Sequence, residues 1–206
     1  MKVTPTIYIV EGSGCNIKPM LVARELGLDC IVKKVDVDPP NKKRLNYVNI
    51  QPFLMLPDGT NLREANAISW YLAEGSSLIP ESAFERAQAI RWINFEQSSI
   101  ETYFSPLLVS NHKIKTVFPA DGVSTSRTSS TSALLSLNGY LANRKYLVDG
   151  GFSIADITVF GYMYLAFTWG YNMKKYREIY CWMERILERR SCNNLSELVN
   201  GVRCSY

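Results

Sequence analysis

The chain has 206 residues, 47% of them hydrophobic and 20% charged, with a net charge of +4 and an isoelectric point near 8.7. That length holds one large domain or two small ones, and the mild basicity attracts small anions but lacks the dense Lys/Arg block that tracks nucleic-acid phosphates. No apolar run reaches the roughly 18 residues of a membrane span, no secretory leader is legible, and the five cysteines (Cys15, Cys30, Cys181, Cys192 and Cys204) form no Cys-x-x-Cys pair, so a cytoplasmic, metal-free chain without a disulfide framework is expected.

Ile7, Tyr8, Ile9 and Val10 form a β-rich run bounded by Gly12-Ser13-Gly14, which reads as a buried strand. Residues 16–27 read as a helix: Leu21, Val22 and Leu26 recur at helical spacing, Pro19 sits in the first turn and Gly27 stops it. Cys30 to Val37 reads as a second strand, broken by Pro39-Pro40, and Lys42-Lys43-Arg44 as an exposed helix or loop. Asp58-Gly59 between two short apolar runs signals a hairpin. Glu64 to Glu74 then reads as a helix with Ile68, Tyr71 and Leu72 on one side, and Gly75-Ser76-Ser77 as a linker. Strand, helix, strand, hairpin and helix in this order predict an α/β layer of thioredoxin type.

Beyond Pro80 the pattern becomes helical. Phe84 to about Val109 carries Ala87, Ile90, Trp92, Ile93, Phe95 and Ile100 as one long helix. Residues 121–132 are rich in Ser and Thr and read as a loop or a weak helix start. Leu134 to Tyr146 resumes the helical pattern, and Ser153-Ile154-Ala155-Asp156 is a capping-box-like start before the apolar run Ile157 to Trp169. Two further helices are predicted over Tyr176 to Arg189 and Asn194 to Val199. The expected division is an α/β domain over 1–75 and an all-helical domain over 82–206.

Three segments in order carry a resemblance. They are Gly12-Ser13-Gly14-Cys15-Asn16-Ile17-Lys18-Pro19 with the helix after it, the stretch Gln51-Pro52 to Glu64, and Ser153-Ile154-Ala155-Asp156. Together they resemble the cytosolic glutathione transferase superfamily over essentially the whole chain, and the cysteine loop is similar to that of the bacterial beta-class enzymes. The resemblance implies a thioredoxin-like domain that binds glutathione, an all-helical second domain, and a homodimer with Arg91, Trp92 and Phe95 at its interface. It also implies a cis bond at Gln51-Pro52, whose bend would present the Gln51 backbone to the cysteinyl part of glutathione. Glu64 would pair with the γ-glutamyl amine and the Ala65 N–H with its carboxylate. The family's hydroxyl residue is replaced here by Ala65.

Two residues compete to activate the thiol. Cys15 precedes a helix N-terminus with Lys18 nearby, a setting that favours a thiolate able to form a mixed disulfide. Ser13 offers a hydroxyl, with Asn16 as a further donor, and Tyr8 is a weaker alternative inside the first strand. Lys42 and Lys43 are candidates for the glycine carboxylate. Tyr103, Phe104 and Leu107 are candidates for an apolar pocket, joined by some of the rings Tyr162, Tyr164, Phe167, Trp169 and Tyr171, most of which read as core. The single histidine, His112, argues against Cys-His or Ser-His catalysis. Two functions fit these residues. One is an enzyme that binds glutathione and conjugates its thiol to apolar electrophiles or exchanges disulfides; the other is a non-catalytic binding or scaffold module of the same fold.

Overall fold

The computed structural model describes residues 4–10, 14–35, 51–104, 120–168 and 170–195. These fall into two compact units, one reaching to Ile79 and including the chain from Arg189 on, the other Pro80–Glu188.

The first unit is built on a four-stranded sheet in the order β2-β1-β3-β4, with β1 Thr6–Val10, β2 Ile31–Val35, β3 Phe53–Met55 and β4 Asn61–Arg63. β2 lies parallel to β1, and β3 runs antiparallel to both β1 and β4. Alternation sorts the faces. Ile7 and Leu54 are register partners and both fully buried. One residue along, Tyr8 and Phe53 point the other way and stack, ring centroids 4.4 Å apart, flanked by Lys33 at 5.9 Å from Tyr8 and Arg63 at 5.3 Å from Phe53.

Helix α1, Ile17–Glu25, follows a 3-10 turn at Gly14–Asn16. It ends as the sequence predicts: Gly27 takes φ +59°, and the Leu28 N–H reaches the Ala23 carbonyl at 2.9 Å in a Schellman arrangement. The Asp58-Gly59 hairpin is also present, with the Thr60 N–H on Asp58 Oδ1 at 2.8 Å and Gly59 at φ +87°. Helix α2, Ala65–Ala73, packs on α1 and on β3 and β4.

The second unit is all-helical. Helix α3, Ala83–Phe95, starts at Ser82, whose Oγ accepts from the Glu85 N–H at 3.2 Å, and runs on through a π-helical stretch, Glu96–Glu101. Helix α4, Ala120–Leu141, passes straight through the Ser/Thr-rich stretch. Ser and Thr cost only about half a kcal/mol each in a helix, and the buried row Ser130, Ala133, Leu134, Leu137 and Leu141 outweighs that. Helix α5, Ile154–Thr168, is buried over most of its length. Helix α6, Arg177–Leu187, turns Ile179, Trp182, Met183 and Ile186 inward at helical spacing. Its N-terminus has no local side-chain cap; Asn138 of α4 supplies one instead, accepting from the Glu178 and Ile179 N–H groups at 3.0 and 3.3 Å.

The sequence boundary assigned everything from residue 82 to the helical domain. The structure returns Arg189 and the described residues after it to the first unit, because Arg189 and Ser191 bond to Glu25 at the end of α1. The expected helix over Asn194 to Val199 lies almost wholly outside the described residues.

Candidate functional site

Strand register decides which segments meet at one end of the sheet. Tyr8 pairs with Phe53, and Phe53 with Arg63. Past that rung β1 ends at Val10, β3 is entered through Gln51-Pro52, and β4 leaves into Glu64 and α2. Since β2 is parallel to β1, α1 must carry the chain back along the sheet, so its N-terminus opens at this same end. Two helix N-termini thus flank the entry of β3. Each leaves up to four N–H groups without intrahelical partners and carries about half a positive charge. Such an end suits a small anion or a peptide carboxylate.

Cys15 sits in the 3-10 turn just before α1 and is 7% exposed. Asn16 and Lys18 on either side of the helix start are buried as well. Ser13, Lys42 and Lys43 lie outside the described residues. Tyr8 is committed to the stack on Phe53.

At Pro52 the expectation is corrected. No peptide bond among the described residues is cis, so the bond entering Pro52 is trans. Trans is favoured at X-Pro by about 0.5–1 kcal/mol, and a proline just ahead of a strand owes no N–H to the ladder, so nothing local demands the other isomer. The bend expected to turn the Gln51 backbone outward goes with it. Gln51 is half-buried, and its Oε1 is buried and accepts no hydrogen bond from the described residues.

Among the described residues of this end, Glu64 departs furthest from ordinary geometry. It takes φ +72° and ψ 115°, outside the regions a side chain with a Cβ normally occupies. Its carbonyl accepts from the Ile68 N–H at 2.9 Å and so begins α2, but its carboxylate makes no cap, and the side chain is exposed. Ala65, buried, is the first helical residue and brings a backbone N–H and no hydroxyl. Asn66 follows it, also buried.

In the second unit Phe104 is fully buried with its ring edge-on to Tyr171 at 4.9 Å, and Tyr103 beside it is half-buried. Leu107, His112 and Trp169 lie outside the described residues. Tyr162 is buried, Phe167 meets Tyr180 of α6, and Tyr164, half-buried, stacks on Phe160 of its own helix. Trp92 is buried against Phe95 and Tyr140, so it packs inward rather than forming an exposed surface. Asp156 works for the fold alone, as its bonds show. Its Oδ2 accepts from the Ser153 N–H at 3.0 Å and the Ser153 hydroxyl at 3.2 Å, and its Oδ1 from the Leu147 N–H at 3.0 Å and Trp182 Nε1–H at 2.9 Å.

Comparison with known proteins points the same way. The profile described as "Glutathione S-transferase, C-terminal domain" matches residues 99–190. Glutathione S-transferase GstA of Escherichia coli O157:H7 is 28% identical over 188 residues, covering 85% of this chain and 89% of that protein. The crystal structure of a glutathione S-transferase from Pseudomonas fluorescens superposes with a TM-score of 0.77 at 28% identity, covering 91% of this chain and 96% of that one. The chain is similar to glutathione transferases over most of its length. Elongation factor 1-gamma 1 of Oryza sativa subsp. japonica is also similar, 26% identical over 177 residues; the match covers 78% of this chain and 40% of that protein. Within this transferase fold, no group of three or more His, Cys, Asp or Glu side chains among the described residues is placed to hold a metal, and no described helix is long and apolar enough to cross a membrane.

Proposed function

We propose that this chain is a glutathione transferase-like enzyme with glutathione as its co-substrate, bound where the N-termini of α1 and α2 open beside Gln51-Pro52. The observation that carries the site is Glu64. A non-glycine residue at φ +72° costs on the order of 1–3 kcal/mol, and such strain persists where the surroundings enforce it, often at ligand clamps. The strained residue carries an exposed carboxylate, unused in capping, and directly precedes Ala65, the first residue of α2. A zwitterionic γ-glutamyl end has the charges to match: its ammonium meets Glu64, its carboxylate the start of α2. Gln51 and Pro52 border the middle of the peptide.

The thiol of glutathione then lies toward the start of α1, where Cys15, Ser13 and the helix N-terminus favour its ionised form. In conjugation the sulfur bonds to the electrophilic carbon, the leaving group departs with its electron pair, and the thiol proton passes to solvent. Through Cys15 the alternative reaction is disulfide exchange, in which one sulfur–sulfur bond forms as another breaks. A cytoplasmic homodimer completes the proposal. Phe84, 71% exposed, and Ile90, 45% exposed, are apolar side chains that α3 leaves open to a second copy.

The scaffold reading has one observation in its favour, the alanine at position 65 where the family keeps a hydroxyl. Retention on immobilised glutathione, together with transfer to a chloro-dinitro aromatic or disulfide exchange lost in Cys15→Ala, is the expected result. Neither binding nor turnover at millimolar glutathione would leave the scaffold reading in possession.

A further inference from the structure

Helix α1 ends on Glu25, an acid where the backbone carbonyls already carry about half a negative charge. The offset comes from a residue 164 positions along the chain. Arg189 donates from Nε to Glu25 Oε2 at 3.2 Å and from Nη2 to Oε1, while the Ser191 hydroxyl donates to Oε2 at 2.6 Å. One residue back, Arg24 Nη1 donates to the Asn193 carbonyl at 3.0 Å. The last two side chains of the helix are thus tied to one short segment, in which Ser191, Cys192 and Leu195 are buried. Burial pushes the Glu25 carboxyl up, but the Arg189 and Ser191 bonds outweigh it and hold it below the usual range. Burial drives the Cys192 thiol to about 11, so it packs as an inert protonated group.

The other end of α1 opens on the candidate site. A helix of nine residues is a rod about 13 Å long, so a tilt permitted at Glu25 becomes a displacement at Asn16. We propose that Arg189 is a positioning residue for the glutathione site: by clamping Glu25, the segment Arg189–Asn193 keeps the first turn of α1 in register with that of α2. The inference rests on the glutathione-binding reading. It assigns to residues far along the chain, and outside the site, a share of the site's affinity.

The experiment is a glutathione titration of the full chain, well below its melting temperature, with helix content checked by circular dichroism. The variants are Arg189→Ala, Arg189→Lys, Glu25→Gln and the exchanged pair Glu25→Arg with Arg189→Glu. Arg189→Ala should raise the KM for glutathione about five-fold with kcat little changed, and the exchanged pair should regain most of the loss, as a coupling of this kind allows. A purely structural clamp would lower the melting temperature and leave KM alone. Wild-type binding matched within two-fold by the folded variants overturns the proposal. Should Arg189→Ala not fold, the isosteric Glu25→Gln decides by the same criterion. Failure of the unaltered chain to bind glutathione sinks the site reading, and this inference with it.

Discussion

Helices α2 and α5 both start beside an acidic side chain and use it in opposite ways. At α5, Asp156 takes four hydrogen bonds from Ser153, Leu147 and Trp182, and the acid is buried. At α2, Glu64 caps nothing, stands exposed, and is held at a strained backbone angle. Identical electrostatics at a helix start therefore support two ends. Where the carboxylate's lone pairs are filled by the protein, the residue serves folding; where they are left open on a strained turn, it is free to serve a ligand. An acid at a helix N-terminus is by itself silent on which applies.

The comparison breaks most sharply by deletion. Asp156→Ala leaves the Leu147 and Ser153 N–H groups and the Trp182 indole N–H buried without their acceptor. At about 1–3 kcal/mol for each stranded donor, a loss of about 4 kcal/mol is expected in urea unfolding followed by tryptophan fluorescence. Glu64→Ala should do the reverse. Stability should stay within about 0.5 kcal/mol, as for an exposed side chain with no structural role, while glutathione affinity falls about ten-fold or more with the lost charged bond. A large fall in stability at Glu64, or a fall in affinity at Asp156 without one in stability, would erase the distinction.

A pH titration sharpens it. Burial raises the Asp156 carboxyl to about 6 against the pull of its donors, from an ordinary 3.8. Between those values the folded chain keeps a proton that the unfolded chain has released, so this group's contribution to stability falls as pH rises and is constant outside the window. Glu25 has the opposite sign. Its lowered pKa gives stability that is present above about 4.5 and lost as pH falls through the folded value. Relative to Asp156→Asn, the unaltered chain should lose stability from pH 4 to pH 7 in urea midpoints. A rise over that range would mean the four donors govern the acid and its burial does not.

Much of the architecture is written locally. Gly27 stops α1 because the left-handed angle there suits glycine, and Asp58-Gly59 closes the hairpin through the aspartate's own bond to Thr60. Ser153 and Asp156 announce the start of α5 from three residues' separation. What stayed hidden depends on distance or on small energy differences. Trp182 and Leu147 find Asp156 only once the helices are packed. Arg189 finds Glu25 from the far end of the chain, a contact that no composition boundary shows. The Ser/Thr-rich stretch is helical because inward residues such as Leu134 and Leu137 outweigh its weak propensity. The isomer at Pro52 turns on about 1 kcal/mol, less than a local pattern can decide. The strain at Glu64 has no composition signal at all, since glutamate gives no hint of a positive φ.

The smallest expected effect tests the site where it departs from its family. Ala65→Ser returns a hydroxyl to the first turn of α2, one residue past Glu64. Serine costs roughly 0.5 kcal/mol against alanine within a helix, but at the first position its hydroxyl can turn to an N–H or to a bound carboxylate, so the unliganded chain should lose little. If the γ-glutamyl carboxylate rests on this turn, the new bond to a charged group is worth up to about 1.5 kcal/mol after burial of the hydroxyl is set against it, or a roughly ten-fold tightening in a glutathione titration. Ala65 is buried, so the gain depends on the ligand reaching the start of the helix rather than on free space beside it. In Glu64→Ala the same substitution should gain less, because the ammonium that orients the carboxylate is no longer held. An equal gain in both backgrounds would mean that the two groups act independently, and no gain in either would place the γ-glutamyl end away from α2.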